Sequence, residues 1–414
     1  MINYRILVAV MCSLACVACT PSNHASPIDA VLESAVESGR IPGVIAVAAT
    51  SDGIIYQGTA GDRDMSSDSE MTFDTIVQIA SMTKAVTSVA VMQLVEQGEI
   101  ELDQPVSRYL PRLAGVEVLE RFDVDDQPIL RAAKSPVTIR QLLTHTSGYV
   151  YEIWNGDAAR YVASGNAASV FDGGDDFIDA PLFFDPGTKW EYGISTDILG
   201  VLVEVISGQS LEDYFREHIF SPLGMPDTYF ILPEEKLPRL ATVYAKSSDG
   251  VLTPIPYSRP SEEFFSGGGG LRSTAGDYIR FLRALLNEGE LDGVRILGPA
   301  TVDLMAQNHI GDLEAADSVI SLAPGLSNDF DFMPESEDKF GLGFLINTDP
   351  VPGGRSAGSL AWAGLYNSYY WIDREKDICG VLITQILPFF DADVLALLNE
   401  FETAVYAAAN SPSN

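Results

Sequence analysis

Strand-forming runs lie at both ends of this chain and almost none lie between them, so its sheet can close only if the two ends meet. Residues 43–50 and 54–59 are β-rich and joined by Ser51-Asp52-Gly53, a hairpin signal. The next β-rich runs, 341–346, 369–372 and 378–384, come near the other end. Between 102 and about 260, helical runs such as 139–143 and 198–206 alternate with Pro-, Gly- and Asp-rich loops. Residues 28–38 form an amphipathic helix ended by Gly39, residues 394–408 form the last helix, and both could pack on one sheet face. The expected class is α+β: an antiparallel sheet flanked by helices, built from 27–101 and 261–410, with a helical, loop-rich subdomain of 102–260 inserted. No internal repeat is present. Residues 61–71 read as a polar loop and 311–339 as a long acidic one.

The N-terminus reads as an export signal, residues 1–19, followed by a linker, 20–26. A positively charged start precedes an apolar stretch, 6–18, too short to span a bilayer. Ala18-Cys19 followed by Thr20-Pro21-Ser22-Asn23 resembles a bacterial lipoprotein cleavage site, with Cys19 as the lipidated residue. Cys16, preceded by Leu14-Ala15, is a second candidate. The expected location is exported: periplasmic and lipid-anchored through Cys19, or secreted. Cys379 is then the one cysteine of the mature body besides the lipidated one, so no internal disulfide is expected; its apolar strand makes it a core residue.

The chemistry centres on 79–88, Ile-Ala-Ser-Met-Thr-Lys-Ala-Val-Thr-Ser, at the start of an apolar helix running to about Val95. Ser81 and Lys84 are three residues apart, so they share one helix face. A serine hydroxyl is a poor nucleophile until a neighbouring base takes its proton. A helix N-terminus adds partial positive charge that favours an oxyanion. Ser336-Glu337-Asp338-Lys339 has the same spacing but lies in an acidic loop, where no helix would hold the pair together.

Competing designs fit less well. Gly354-Arg355-Ser356-Ala357-Gly358 matches G-x-S-x-G, but Pro and Gly flank it where a nucleophile elbow needs a strand and a helix. The four histidines are His24, His145, His218 and His309; none is paired at metal-ligand spacing, and His145 reads as a structural residue at a helix end. Gly267 to Gly270 lacks the Lys-Ser/Thr of a phosphate loop and reads as close backbone packing. Thr274 opens a further helix, 278–286. Without a histidine base, Lys84 or a nearby tyrosine must take the Ser81 proton. Tyr192, in the tight segment 190–200, is the candidate, although any of the 16 tyrosines could serve.

Taken in order, Ser81-Met82-Thr83-Lys84, Leu142-Leu143-Thr144-His145-Thr146-Ser147-Gly148, Tyr192-Gly193-Ile194-Ser195-Thr196-Asp197, residues 266–274 and Trp362-Ala363-Gly364 resemble the serine β-lactamase and penicillin-binding-protein superfamily. Within it, the chain resembles the class C β-lactamase-like esterases, the family VIII carboxylesterases. The resemblance covers nearly all of the chain after the leader. It implies a β-lactamase/transpeptidase-like fold and Ser81 as acylated nucleophile, with Lys84 and Tyr192 as coupled base and acid. It also implies an oxyanion hole from the backbone amides of Ser81 and Leu365, no cofactor and no metal. Two departures bear on the substrate. Ile194 stands where β-lactamases carry an amide, and Trp362 where they carry the lysine that can bind the β-lactam carboxylate. Losing one charged hydrogen bond costs ~1.5–3 kcal/mol, about ten- to a hundredfold in affinity. With Trp362, Ala363, Gly364 and Ile194 around the substrate, the expectation is a hydrolase of short-chain carboxylic esters with weak β-lactam turnover. The alternatives are a β-lactamase or D-amino-acid peptidase, an acyltransferase, or a non-catalytic binder.

Charge limits the partners. Fifty-eight acidic residues against 25 basic ones give a net charge of −33. That argues against nucleic acid and an anionic bilayer as electrostatic partners; the resemblance implies a small ester or β-lactam as substrate.

Overall fold

The computed structural model describes residues 26–67, 69–316, 318–332 and 336–410. The leader, Cys19 and most of the linker lie outside the described residues. Helix α1 (Pro27–Glu37) starts where Ser26 accepts from the Ile28 amide and Asp29 reaches back to the Ser26 amide at 2.8 Å. The sheet strands follow as β1 (Gly43–Ala49), β2 (Ile54–Asp64) and β3 (Ser69–Glu70). Near the other end lie β4 (Lys339–Phe340), β5 (Leu345–Ile346), β6 (Leu360–Gly364), β7 (Ser368–Asp373) and β8 (Ile378–Ile383). They form one eight-stranded sheet in the order β4-β5-β6-β7-β8-β1-β2-β3. Every neighbouring pair is antiparallel, and β1 meets β8 with Ile45 opposite Ile383 and Ala49 opposite Cys379.

Both faces of β1 are covered, which is why Gly-Val-Ile-Ala-Val-Ala-Ala is apolar at every position rather than at alternate ones. Val44, Ala46 and Ala48 pack with Leu32 of α1 and Leu397 and Phe401 of the final helix, Ala392–Ala409. Ile45, Val47 and Ala49 share the other core with α2 (Thr83–Glu96). Residues 83–94 of α2 are all buried, as expected of a helix that is apolar all round. Polar side chains on it bond to distant segments; Thr87 donates to the Gly267 carbonyl at 2.7 Å and Gln93 to the Ile296 carbonyl at 3.0 Å.

The segment 102–260 carries the helices Ile139–Leu143, Gly156–Ala163 and Ser195–Ser207, and also two hairpins. Strands Glu117–Phe122 and Pro128–Ala132 pair with each other. Val243–Lys246 pairs with Leu252–Ile255 and, in parallel, with Ile386–Leu387 beyond β8, tying the segment to the end of the chain.

Three local expectations change. The polar stretch 61–71 contains the end of β2 and all of β3. The run 341–346 is strand only at its end, β5: residues 341–344 form the turn from β4, in which Gly343 takes φ 98°, a conformation that favours glycine. Strand β6 is an additional element, hidden from its sequence by Ala and Gly at three of its five positions, residues with poor strand preference.

Candidate active site

Ser81 sits in a 3-10 turn, Ala80–Met82, that runs directly into α2. Ala80, just before it, has φ 44°, a strained value for a residue with a side chain, which turns the chain sharply and sets Ser81 at the head of the helix. At that head the first amides have no partner within the helix. Strand β6 runs against this turn. A Cβ on Gly364 would lie 2.3 Å from the Ile79 carbonyl oxygen, so only glycine permits the approach. The result is a single wall holding Ser81, Ala363, Gly364 and Leu365.

Lys84 is 3 % exposed. Its Nζ donates to the Gly268 carbonyl at 2.7 Å, to the Tyr151 hydroxyl at 3.0 Å and to Ser81 Oγ at 3.4 Å, which uses all three of its protons. The glycine run at 267–270 is therefore part of the site: it brings a backbone carbonyl to the ammonium. A Cβ on Gly268 would lie 2.2 Å from Asp197 Oδ2. Asp197, buried in the first turn of the helix Ser195–Ser207, accepts from the Gly268 amide at 3.0 Å and from Ser266 Oγ at 2.6 Å. Burial pushes its pKa up, against the pull of the nearby Lys84 charge.

Tyr192 faces the same ammonium with its ring, 4.7 Å from Nζ to the centroid. Its hydroxyl accepts from Trp362 Nε1 at 3.4 Å. The loop bearing it is pinned by the stretch around His145: the Gly193 amide donates to His145 Nδ1 at 3.4 Å and the Glu191 amide to the His145 carbonyl at 3.0 Å. A Cβ on Gly193 would lie 2.3 Å from the Tyr149 carbonyl, so the two loops cross in contact. His145 is buried, and its pKa is held well below the usual histidine range by desolvation and by Lys84. It is therefore a neutral structural ring, packed edge-on to Tyr192 at 5.0 Å.

The pocket above Ser81 is a small, partly open cavity of about 20 Å³. Trp154, Tyr192, Phe330, Phe332, Trp362 and Phe389 line it, and none of the described lining residues is charged. The acidic loop 311–339 thus supplies two wall residues, Phe330 and Phe332. Trp362, Ala363, Gly364 and Leu365 are all on this wall, and Ile194 is not. Its side chain lines a separate cavity with Tyr149, Tyr161 and Phe177, because the turn into the helix Ser195–Ser207 points it away from Ser81.

Other serine candidates lie elsewhere. Ser356 is buried; its amide donates to Asp373, and its hydroxyl has no partner among the described residues. Ser336 bonds to Thr348 while Lys339 donates to the Leu313 carbonyl, so that pair is split. Cys379 is a buried strand residue whose thiol burial holds well above the usual range.

Sequence reasoning assigned no role to Tyr151 or Asp197. Asp197 falls inside a motif already singled out, so that signal was present. Tyr151 had none: it is one of many tyrosines, and only the crossing of the two loops brings it to Lys84. Burial, with the neighbouring Asp197 charge, pushes the Tyr151 pKa well above its ordinary value, so it stays a neutral phenol.

A half-buried serine and a buried lysine at a helix head lie against β6, an interior strand of the antiparallel sheet. The family model described as Beta-lactamase matches residues 28–404. The chain belongs to the beta-lactamase family. Among family members, it is 32% identical over 390 residues to "Lovastatin esterase" of Penicillium rubens, spanning 90% of this chain and 96% of that one. It is also 32% identical over 397 residues to "Monacolin J acid methylbutanoyltransferase" of Aspergillus terreus, spanning 92% and 95%. Unliganded simvastatin synthase (LovD) from Aspergillus terreus superposes with a TM-score of 0.81 at 32% identity, covering 92% of this chain and 97% of that chain. EstCE1, "a hydrolase with promiscuous acyltransferase activity", shares the fold at a TM-score of 0.73 and 24% identity, covering 92% and 97%. This chain is thus an enzyme of the beta-lactamase superfamily with the β-lactamase/transpeptidase-like fold, and the relatives it resembles are named as an esterase and acyltransferases.

Proposed function

We propose that the chain hydrolyses short-chain carboxylic esters through an acyl-enzyme on Ser81. The observation that carries this reading is the pocket wall: aromatic, closed by Trp362, and without a charged side chain among its described lining residues. Ser81 Oγ attacks the ester carbonyl carbon while its proton passes to the Lys84/Tyr192 pair, which enters the step holding one proton fewer than an ammonium and a phenol together. The negative oxygen that forms is held by the amides of Ser81 and Leu365. The alcohol leaves with the proton. Water then attacks the acyl carbon, the same pair takes its proton, and Ser81 is released with the carboxylic acid.

The test is an assay of p-nitrophenyl esters beside a chromogenic cephalosporin and a D-Ala-D-Ala peptide, with Ser81→Ala as control. Ester turnover should dominate and vanish in Ser81→Ala. Undiminished turnover by that variant would overturn the assignment of the nucleophile, and preference for the cephalosporin would make the chain a β-lactamase.

Acyl transfer is a second reading, favoured by likeness to relatives named as methylbutanoyltransferases. It differs only in which hydroxyl attacks the acyl-enzyme. Added alcohols at fixed ester concentration separate the two: a hydrolase yields acid, a transferase yields the new ester. Export with anchoring through Cys19 belongs to the same proposal and is supported by the leader sequence alone. Membrane fractionation of the full chain against Cys19→Ala tests it.

A further inference from the structure

Two apolar cavities of this molecule meet at one phenylalanine ring. The first is the Ser81 pocket. The second, of about 100 Å³, lies between the sheet and the final helix, walled by Leu345, Ala361, Tyr369, Phe390, Leu395 and Leu398. Phe332 and Trp362 line both. The two shared walls are unequal. Trp362 is built into β6 opposite Tyr370 of β7 and bonds to Tyr192. Phe332 belongs to no helix or strand. Its ring packs on Trp362 at 5.3 Å, Phe330 at 5.6 Å, Phe390 at 5.7 Å and Phe389 at 6.2 Å between centroids, with no polar atom to anchor it.

The charged group of the second cavity is already engaged, while Asn347 Oδ1 and the Tyr370 hydroxyl have no partner among the described residues. Arg355 is paired with Glu402 at 2.9 and 2.5 Å, and the Asn347 amide donates to the carbonyls of Asp349 and Ser356 at 2.7 and 2.9 Å. An anion would find no free cation there, whereas a hydrocarbon chain would find leucine and aromatic walls. Of the two halves of an ester, the alcohol departs after the first step. The acyl chain stays on Ser81 through both steps, so a deep apolar space is best used by the acyl chain.

We propose that the second cavity is the outer compartment of the acyl site, and that Phe332 sets acyl-chain length by closing it off from Ser81. The proposal rests on the ester-hydrolase reading above. The experiment compares kcat/KM for p-nitrophenyl decanoate and butanoate, in the wild-type chain and in Phe332→Ala. The decanoate-to-butanoate ratio should rise by about tenfold or more, since each methylene gaining an apolar wall adds a comparable preference. Adding Leu398→Trp, which refills the compartment from the helix side, should reverse the gain. Butanoate esters of short and long alcohols should keep their wild-type ratio in Phe332→Ala. An unchanged acyl ratio in a folded variant that still hydrolyses esters would overturn the proposal and leave the ester-hydrolase reading intact. A shift in the alcohol series instead would overturn it too. No ester hydrolysis by the wild-type chain would overturn the reading itself. If Phe332→Ala does not fold, Phe332→Leu is read by the same ratio.

Discussion

Lys84 donates to the hydroxyl of Tyr151 at 3.0 Å, yet it meets Tyr192 only through the face of the ring, 4.7 Å from the centroid. The two tyrosines are thereby separable. Tyr151 is a neutral phenol that holds the ammonium in place. Tyr192 leaves its hydroxyl towards Trp362 and the pocket. Tyr192→Phe is expected to lower kcat on esters by about 10²–10⁴-fold, the usual effect of losing a proton-transfer group. Tyr151→Phe, which removes one hydrogen bond to a charged group, should cost about tenfold. Steady-state kinetics of both variants decide the matter; if Tyr151→Phe is the weaker enzyme, the roles are exchanged.

The contact between Gly364 and Ile79 gives a second expectation. Gly364→Ala forces β6 away from the nucleophile turn, since the new Cβ would start 2.3 Å from a carbonyl oxygen. Leu365 moves with the strand and the oxyanion site widens. A loss of about 10²-fold or more in kcat is expected, in line with removal of one oxyanion donor. Ser81 should still be labelled, slowly, by a fluorophosphonate probe. A variant with wild-type kcat would show that Leu365 takes no part.

Asp338 supplies the pH dependence. It is buried just before β4, and desolvation, reinforced by the charge of Asp331, raises its pKa to about 7. Below the ordinary carboxyl range both folded and unfolded chains hold this proton. As pH rises, the unfolded chain gives it up first, so the folded chain binds more protons and stability falls until the folded pKa is passed. Asp338→Asn cannot ionise. Its melting temperature relative to wild type should therefore climb between about pH 4 and pH 8, by on the order of 2–4 °C for each kcal/mol recovered. Parallel melting curves at every pH would reject this account.

Much of this site was legible in the chain because its chemistry is local. Ser81 and Lys84 meet through helix spacing alone, and the Tyr192 and Trp362 segments carry recognisable order around them. Tyr151 and Phe332 were not legible. Each stands on an irregular segment whose course is set by contacts far away in the chain: the Tyr149 backbone against Gly193 for one, the ring cluster around Trp362 for the other. The split sheet was readable from its strands at both ends, but β6 was not. Its small residues show no strand preference, and the strand exists because β5 and β7 pair with it on either side. Ile194 was misplaced for a related reason: adjacency to Tyr192 in sequence does not carry over to one wall of a pocket when a turn intervenes.

The pairing of β1 with β8 sets an order of events during synthesis. Ile45 leaves the ribosome long before Ile383, its partner across the sheet. The Ser81 helix is likewise complete early, while Gly364 and Leu365, which close its pocket, arrive near the end. Such long-range pairing is slow to form. Until then the early strands present open edges and the apolar helix an uncovered surface, both prone to association with other chains. Acylating capacity and a finished sheet should therefore appear together, and only after nearly the whole chain has been made.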